Sequence, residues 1–133
     1  MDEVIRDDNY CFACGKDNPI GLKLDIKAKG GKAKIEGYVI KKEYQGYAGI
    51  THGGILSLIL DEIQVYAAFG MGYKTVTAKI EVRFLKPVKT GVPIDAEAGV
   101  ISVKKGVWIE TEGKIYQEGV LKVKSTALLK VVP

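Results

Sequence analysis

Apolar residues alternate with polar ones along most of the chain, and one segment breaks the rhythm. From Leu22 to Ala28 the apolar positions 22, 24, 26 and 28 are separated by Lys23, Asp25 and Lys27, the period of a strand with one buried face. A strand from Lys32 to about Ile40 would set Ala33, Ile35, Gly37 and Val39 on one side. Thr75 to Leu85 would align Val76, Ala78, Ile80, Val82 and Phe84, with Thr77 on the opposite face and Pro87 closing the strand. Further strands are predicted over Pro93–Val103, with a bulge at Gly99, over Val107–Tyr116 and over Val120–Val132. Gly30-Gly31, Lys105-Gly106 and Glu118-Gly119 are tight-turn pairs, so sequence neighbours should pair antiparallel.

The exception is Gly53 to about Phe69. Its apolar residues, among them Ile55, Leu56, Ile59, Leu60, Ile63 and Ala67, spread around nearly the whole circumference, as in a helix buried on most sides. Gly70-Met71-Gly72 supplies the stop. Two strands, one helix and four more strands predict an α+β domain, a curved antiparallel sheet around one central helix. Its 133 residues, 47% hydrophobic and 27% charged, suit one domain with a core that needs no disulfide or metal. The domain is expected to span residues 1–133, with 1–21 as an N-terminal leader. Apolar residues such as Ile101 and Val103 on strand faces predict an oligomer.

Charge adds little. Twenty basic and sixteen acidic residues give +4, but the signs are interspersed, so the lysines read as solvated strand faces rather than a nucleic-acid site. The acidic stretch Met1–Asp8 has no apolar run behind it, and Ile55–Leu60 is too short to span a bilayer. No secretory signal, membrane or nucleic-acid partner is expected, and the expected location is cytoplasmic.

A greasy helix should not carry carboxylates without a reason, because burying an unpaired one costs several kcal/mol. Asp61 and Glu62 lie about 100° apart on the helix. Asp61 has Gly54, Ser57, Gln64 and Ala68 at helical spacing, a narrow polar stripe, whereas Glu62 has Leu58, Ile59, Val65 and Tyr66. Asp61 is therefore the candidate for a polar pocket, with an ion-paired structural role equally open. Gln45 to Gly54 is a glycine-rich loop running into the helix start, where exposed amides and the helix dipole make an anion or oxyanion site. His52, the one histidine, serves either as a loop cap or in catalysis. No G-x-S-x-G elbow is present. Cys11 and Cys14 give half a zinc site, with His52 the sole additional imidazole. They read first as thiols packing a turn, with a disulfide or an intersubunit metal as the other options, and no metal or cofactor is expected. A carboxylate acting with water remains.

At these residues the chain resembles the hotdog-fold acyl-CoA thioesterase superfamily, in particular its phenylacetyl-CoA-thioesterase-like branch. The resemblance runs from Cys11-Phe12-Ala13-Cys14-Gly15 through Asn18-Pro19-Ile20-Gly21-Leu22, His52-Gly53-Gly54 and Asp61 to Thr77-Ala78 and Phe84-Leu85-Lys86-Pro87. It implies homodimers or homotetramers with sites at the dimer interface. Asp61 would be the general base or nucleophile, and the Gly53 N–H would polarise the thioester carbonyl. Thr77 of the adjacent subunit would orient water, with Gln45, Gly46, His52 and Gly54 near the thioester. Gly46 departs from an asparagine found in some members. Arg83, Lys86 and Lys89 are candidates for the coenzyme A phosphates, with solvated surface the stronger reading. The expected activity is hydrolysis of an acyl-CoA to free acid and CoA. The alternatives are an acyl-CoA binding or sensing module, or a hydratase or dehydratase. A regulator would need a DNA-binding module that the sequence does not show.

Overall fold

The computed structural model describes residues 4–133; the first three residues of the expected leader lie outside them. Six strands, β1 (Lys27–Lys29), β2 (Lys32–Val39), β3 (Thr75–Phe84), β4 (Pro93–Lys104), β5 (Trp108–Gln117) and β6 (Val120–Val131), form one sheet. Its order is β1-β2-β4-β5-β6-β3 and every pairing is antiparallel. Helix α1 (Gly53–Phe69) sits between β2 and β3 in sequence and touches all six strands, so the sheet curls around it. Leu56, Ile59, Leu60, Ile63 and Ala67 point into the core with Ile35, Ile94, Ile115 and Val123. Full burial of each large aliphatic side chain contributes about 1.5–3 kcal/mol. No helix among the described residues is long and apolar enough to cross a membrane.

The three turn pairs occur as expected. Gly30-Gly31 and Glu118-Gly119 each link paired strands, and all four residues, like Lys105 and Gly106, have positive φ. That left-handed backbone matches the twist of hairpin strands.

Strict register fails at four places among the described residues, one of them between β5 and β6 at Ile115 and Tyr116. Pairing of β2 with β4 shifts between Ile35 and Tyr38, where Gly37 has φ +66°. Past that point Tyr38 and Ile40 turn inward and Val39 outward, so Gly37 and Val39 do not continue the face of Ile35. Pairing of β3 with β6 shifts between Thr77 and Lys79. Ala78 is the extra residue, and it puts Thr77 on the helix-facing side with Ile80, Val82 and Phe84, not opposite them. In β4 the shift falls between Val100 and Ser102, two residues past the expected bulge at Gly99. The expected strand from Leu22 shrinks to Lys27–Lys29. Lys23 has φ +54°, and the Leu22 and Leu24 amides bond the leader carbonyls of Phe12 and Ala13 instead of β2.

Candidate active site

The bulge at Ala78 builds the first element of the site. With Thr77 turned inward, its hydroxyl donates to Asp61 Oδ1 at 2.6 Å within the same chain. The pair does not need a neighbouring subunit to form, unlike the arrangement the resemblance implied. Asp61 is half-buried. Among the described residues its Oδ2 has no hydrogen-bond donor, so one oxygen is fixed and the other is left to accept a proton. Gln64 does not share this pocket. It is fully buried on the sheet side, where its amide donates to Leu60 O and Ser125 Oγ and accepts from Thr111 Oγ1. Gly113 lies opposite; a Cβ there would meet Leu60 and Ser125 Oγ at 3.1 Å. Ser57 bonds back to Gly53 O. The polar stripe is thus a structural bond network at Gln64, and only at Asp61 does it leave a carboxylate oxygen without a donor among the described residues.

The second element is the helix start. His52 is the N-cap, exposed, and its Nδ1 accepts from the Gly54 N–H at 2.9 Å. Capping is therefore the role its geometry supports, and the Gly54 amide is already engaged. Gln45 Oε1 accepts from Gly49 N–H, and Gly46 N–H donates to Ile50 O, so both hold the loop. Thr51 N–H donates to Val88 O, tying the loop to the segment after β3. Among the described residues the Gly53 N–H has no acceptor. Gly53 lines a hollow of about 380 Å³ together with Gly46, Tyr47, Ile50, Thr51 and His52. The Phe84 ring lies over Gly53, 3.5 Å from where a Cβ would stand. Asp61 does not line this hollow. It lies about 12 Å further along the helix axis.

The phosphate candidates do not converge. Lys89 pairs with Glu118 at 3.3 Å and Lys86 is exposed in a loop. Arg83 lies on the outer sheet face, opposite Lys124 in β6, which is opposite Lys114 in β5.

On the other flank of the helix, Glu62 has the company its sequence neighbours did not announce. Cys11 Sγ donates to its Oε2 at 2.9 Å, Cys14 lies beside them, and both thiols are free. Burial, with further contributions from Glu62 and Cys11, pushes the Cys14 thiol up to about 12. Burial also raises the Tyr66 hydroxyl, with a further contribution from the neighbouring Cys14.

Residues 48–123 match the family model described as thioesterase superfamily. No curated protein matches the chain. Among solved structures, a thioesterase superfamily protein has 25% identity and a TM-score of 0.84, covering 93% of this chain and 61% of that one. A hypothetical thioesterase protein of Streptococcus pneumoniae TIGR4, solved with coenzyme A, has 20% identity and a TM-score of 0.76, covering 81% and 87%. It has also been solved with an aspartate, and separately a threonine sixteen positions later, replaced by alanine. A phenylacetic acid degradation-related protein of Ralstonia eutropha JMP134 has 22% identity and a TM-score of 0.74, covering 83% and 86%. Helix and curled antiparallel sheet are the hotdog fold these proteins share.

Proposed function

From the premise that the chain belongs to the thioesterase superfamily, we propose that it hydrolyses acyl-CoA to free acid and CoA with water activated at Asp61. The observation that carries the reading is the 2.6 Å bond from Thr77 to Asp61 Oδ1. It fixes the carboxylate and leaves Oδ2 to take the proton of an attacking water. The alanine mutants of the pneumococcal protein lie at an aspartate and a threonine with the same sixteen-residue separation, which supports the pairing.

The carbonyl belongs at the Gly53 N–H, where an unpaired amide and the helix dipole stabilise the oxyanion as water adds. The tetrahedral intermediate then collapses, expelling the CoA thiolate. One thioester does not reach both groups of a single chain, since about 12 Å of helix separates them. Two copies packed with their helices antiparallel would bring Gly53 of one beside Asp61 of the other. The free edge of β3 and the exposed side chains of Phe84, Leu85 and Phe69 support such a homodimer, with the CoA moiety reaching outward from the hollow at Gly53. No cofactor takes part in this scheme, and the enzyme would act in an aqueous compartment such as the cytoplasm.

Thiol release across short, long and aromatic acyl-CoAs tests the proposal. Turnover of at least one substrate that Asp61→Asn abolishes is expected. Binding without thiol release over the whole panel would make the protein an acyl-CoA binding module instead. Turnover of enoyl- or hydroxyacyl-CoA without thiol release would make it a hydratase.

A further inference from the structure

Cys11 and Cys14 share one turn of the leader and Glu62 lies on the helix about fifty residues on, yet one ligand atom of each lies within 4.8 Å of the other two. A tetrahedral zinc site with sulfur and oxygen ligands needs about 3.5–3.8 Å between ligand atoms. Cys11 Sγ and Glu62 Oε2, 2.9 Å apart as a hydrogen bond, would separate slightly around a metal, and the remaining spacings, none above 4.8 Å, would settle into the same range. We propose that these three residues bind Zn²⁺, clipping the N-terminal leader to the flank of α1.

The leader is built to present the two sulfurs. Gly15 N–H donates to Cys11 O at 2.8 Å, and a Cβ on Gly15 would fall 2.2 Å from Cys11 N. Only glycine allows the turn to close. Ala13, between the cysteines, is buried, and Asn18 braces the loop by bonding Tyr10 O and the Ile20 amide. The Leu22 and Leu24 amides fasten the same turn through Phe12 and Ala13. Cys-x-x-Cys in a tight turn is a common half-site for zinc, and a carboxylate is an accepted third ligand.

His52, the imidazole that would have completed the set, lies about 15 Å away along the helix, and Glu62 takes its place. Tyr66 lines the same hollow as Cys11, Cys14 and Glu62, so its hydroxyl is available to steady a thiolate. The fourth position faces a hollow of about 570 Å³ whose walls include Tyr10, Val65, Tyr66, Phe69, Tyr73 and Lys74. Water fills that position in the proposal. On binding, Zn²⁺ takes the place of the two thiol protons, which pass to solvent, so affinity rises with pH.

The reduced full chain should be titrated with Zn²⁺ and, in parallel, with Co²⁺. One zinc per chain is expected, with proton release, and Co²⁺ should give a thiolate-to-metal charge-transfer band. Cys11→Ser and Cys14→Ser should each weaken binding by about 100-fold or more, and Glu62→Gln by about tenfold or more. Asp61→Asn should bind zinc like wild type, which separates this proposal from the one for hydrolysis. Wild type binding zinc no more tightly than Cys11→Ser would overturn it, as would a Cys11–Cys14 disulfide in protein kept under reductant. Should the cysteine variants fail to fold, Glu62→Gln decides, because it keeps both thiols. Unchanged zinc affinity and an unchanged cobalt spectrum in that variant would remove Glu62 from the site.

Discussion

Asp61 and Glu62 are adjacent in sequence, equally half-buried, and placed in opposite chemistries by about 100° of helix. Asp61 faces the edge strand β3 and accepts a hydrogen bond from the Thr77 hydroxyl. Glu62 faces the leader and accepts a hydrogen bond from the Cys11 thiol. The first keeps an oxygen without a donor among the described residues, beside the sheet edge, which suits taking a proton from water. The second is boxed in by two thiols and a tyrosine, which suits a cation. Carboxylate identity and burial therefore say little about role; the partner delivered by the opposing element decides it.

The comparison breaks most visibly at Asp61. Asp61→Asn should lower kcat by roughly 10³-fold or more, whereas Glu62→Gln should stay within a few-fold of wild type. Steady-state thiol release on both variants checks this, and a comparable loss in the two would erase the distinction between the flanks. Next in size is Gly53→Pro. Proline is well tolerated at the first helical position, and His52 already has the extended ψ of 134° that a following proline requires. The variant should keep its melting temperature yet lose about 10²–10³-fold in kcat, because it lacks the N–H. Thr77→Val should cost about tenfold in kcat with little change in KM, as the carboxylate loses its anchor.

A stability change marks the third direction on the helix. Gln64→Leu would leave Thr111 and Ser125 unpaired in the core and should destabilise the fold by about 2–4 kcal/mol in urea unfolding, without a matching change in kcat. The smallest effect concerns the leader flank. With its thiol pushed up to about 12 by burial, Cys14 of the metal-free protein carries almost no thiolate at pH 8. It should alkylate more slowly than a thiol in unfolded chain, and speed up as pH rises toward 12. Mass-resolved labelling would show it.

Much of this architecture was legible in the amino-acid order. Period-two runs and glycine turn pairs located the strands, and an apolar segment bounded by glycines located the helix to its observed ends, Gly53 and Phe69. Asp61 stood out from Glu62 because Gly54, Ser57, Gln64 and Ala68 lie at helical spacing from it, with an ion-paired structural role equally open. What escaped notice depends on one-residue slips and long-range meetings. The bulges at Gly37 and Ala78 invert the faces that alternation assigns. That is why Thr77 looked outward in the sequence and points inward in the fold. Glu62 meets a residue 51 positions away, a distance at which helical spacing carries no information. Gln64 and Asp61 share a stripe on paper, but the curling sheet reaches Gln64 with Thr111 and Ser125 and reaches Asp61 with Thr77 alone.

The central claim is that Asp61 of one copy works on a carbonyl held by Gly53 of another. Mixing Asp61→Asn chains with Gly53→Pro chains, unfolding and refolding them together, and measuring thiol release tests it directly. Half the random dimers then carry one site with both groups intact, so activity should return to about a quarter of wild type. A mixture no more active than its two inactive parents would contradict the account.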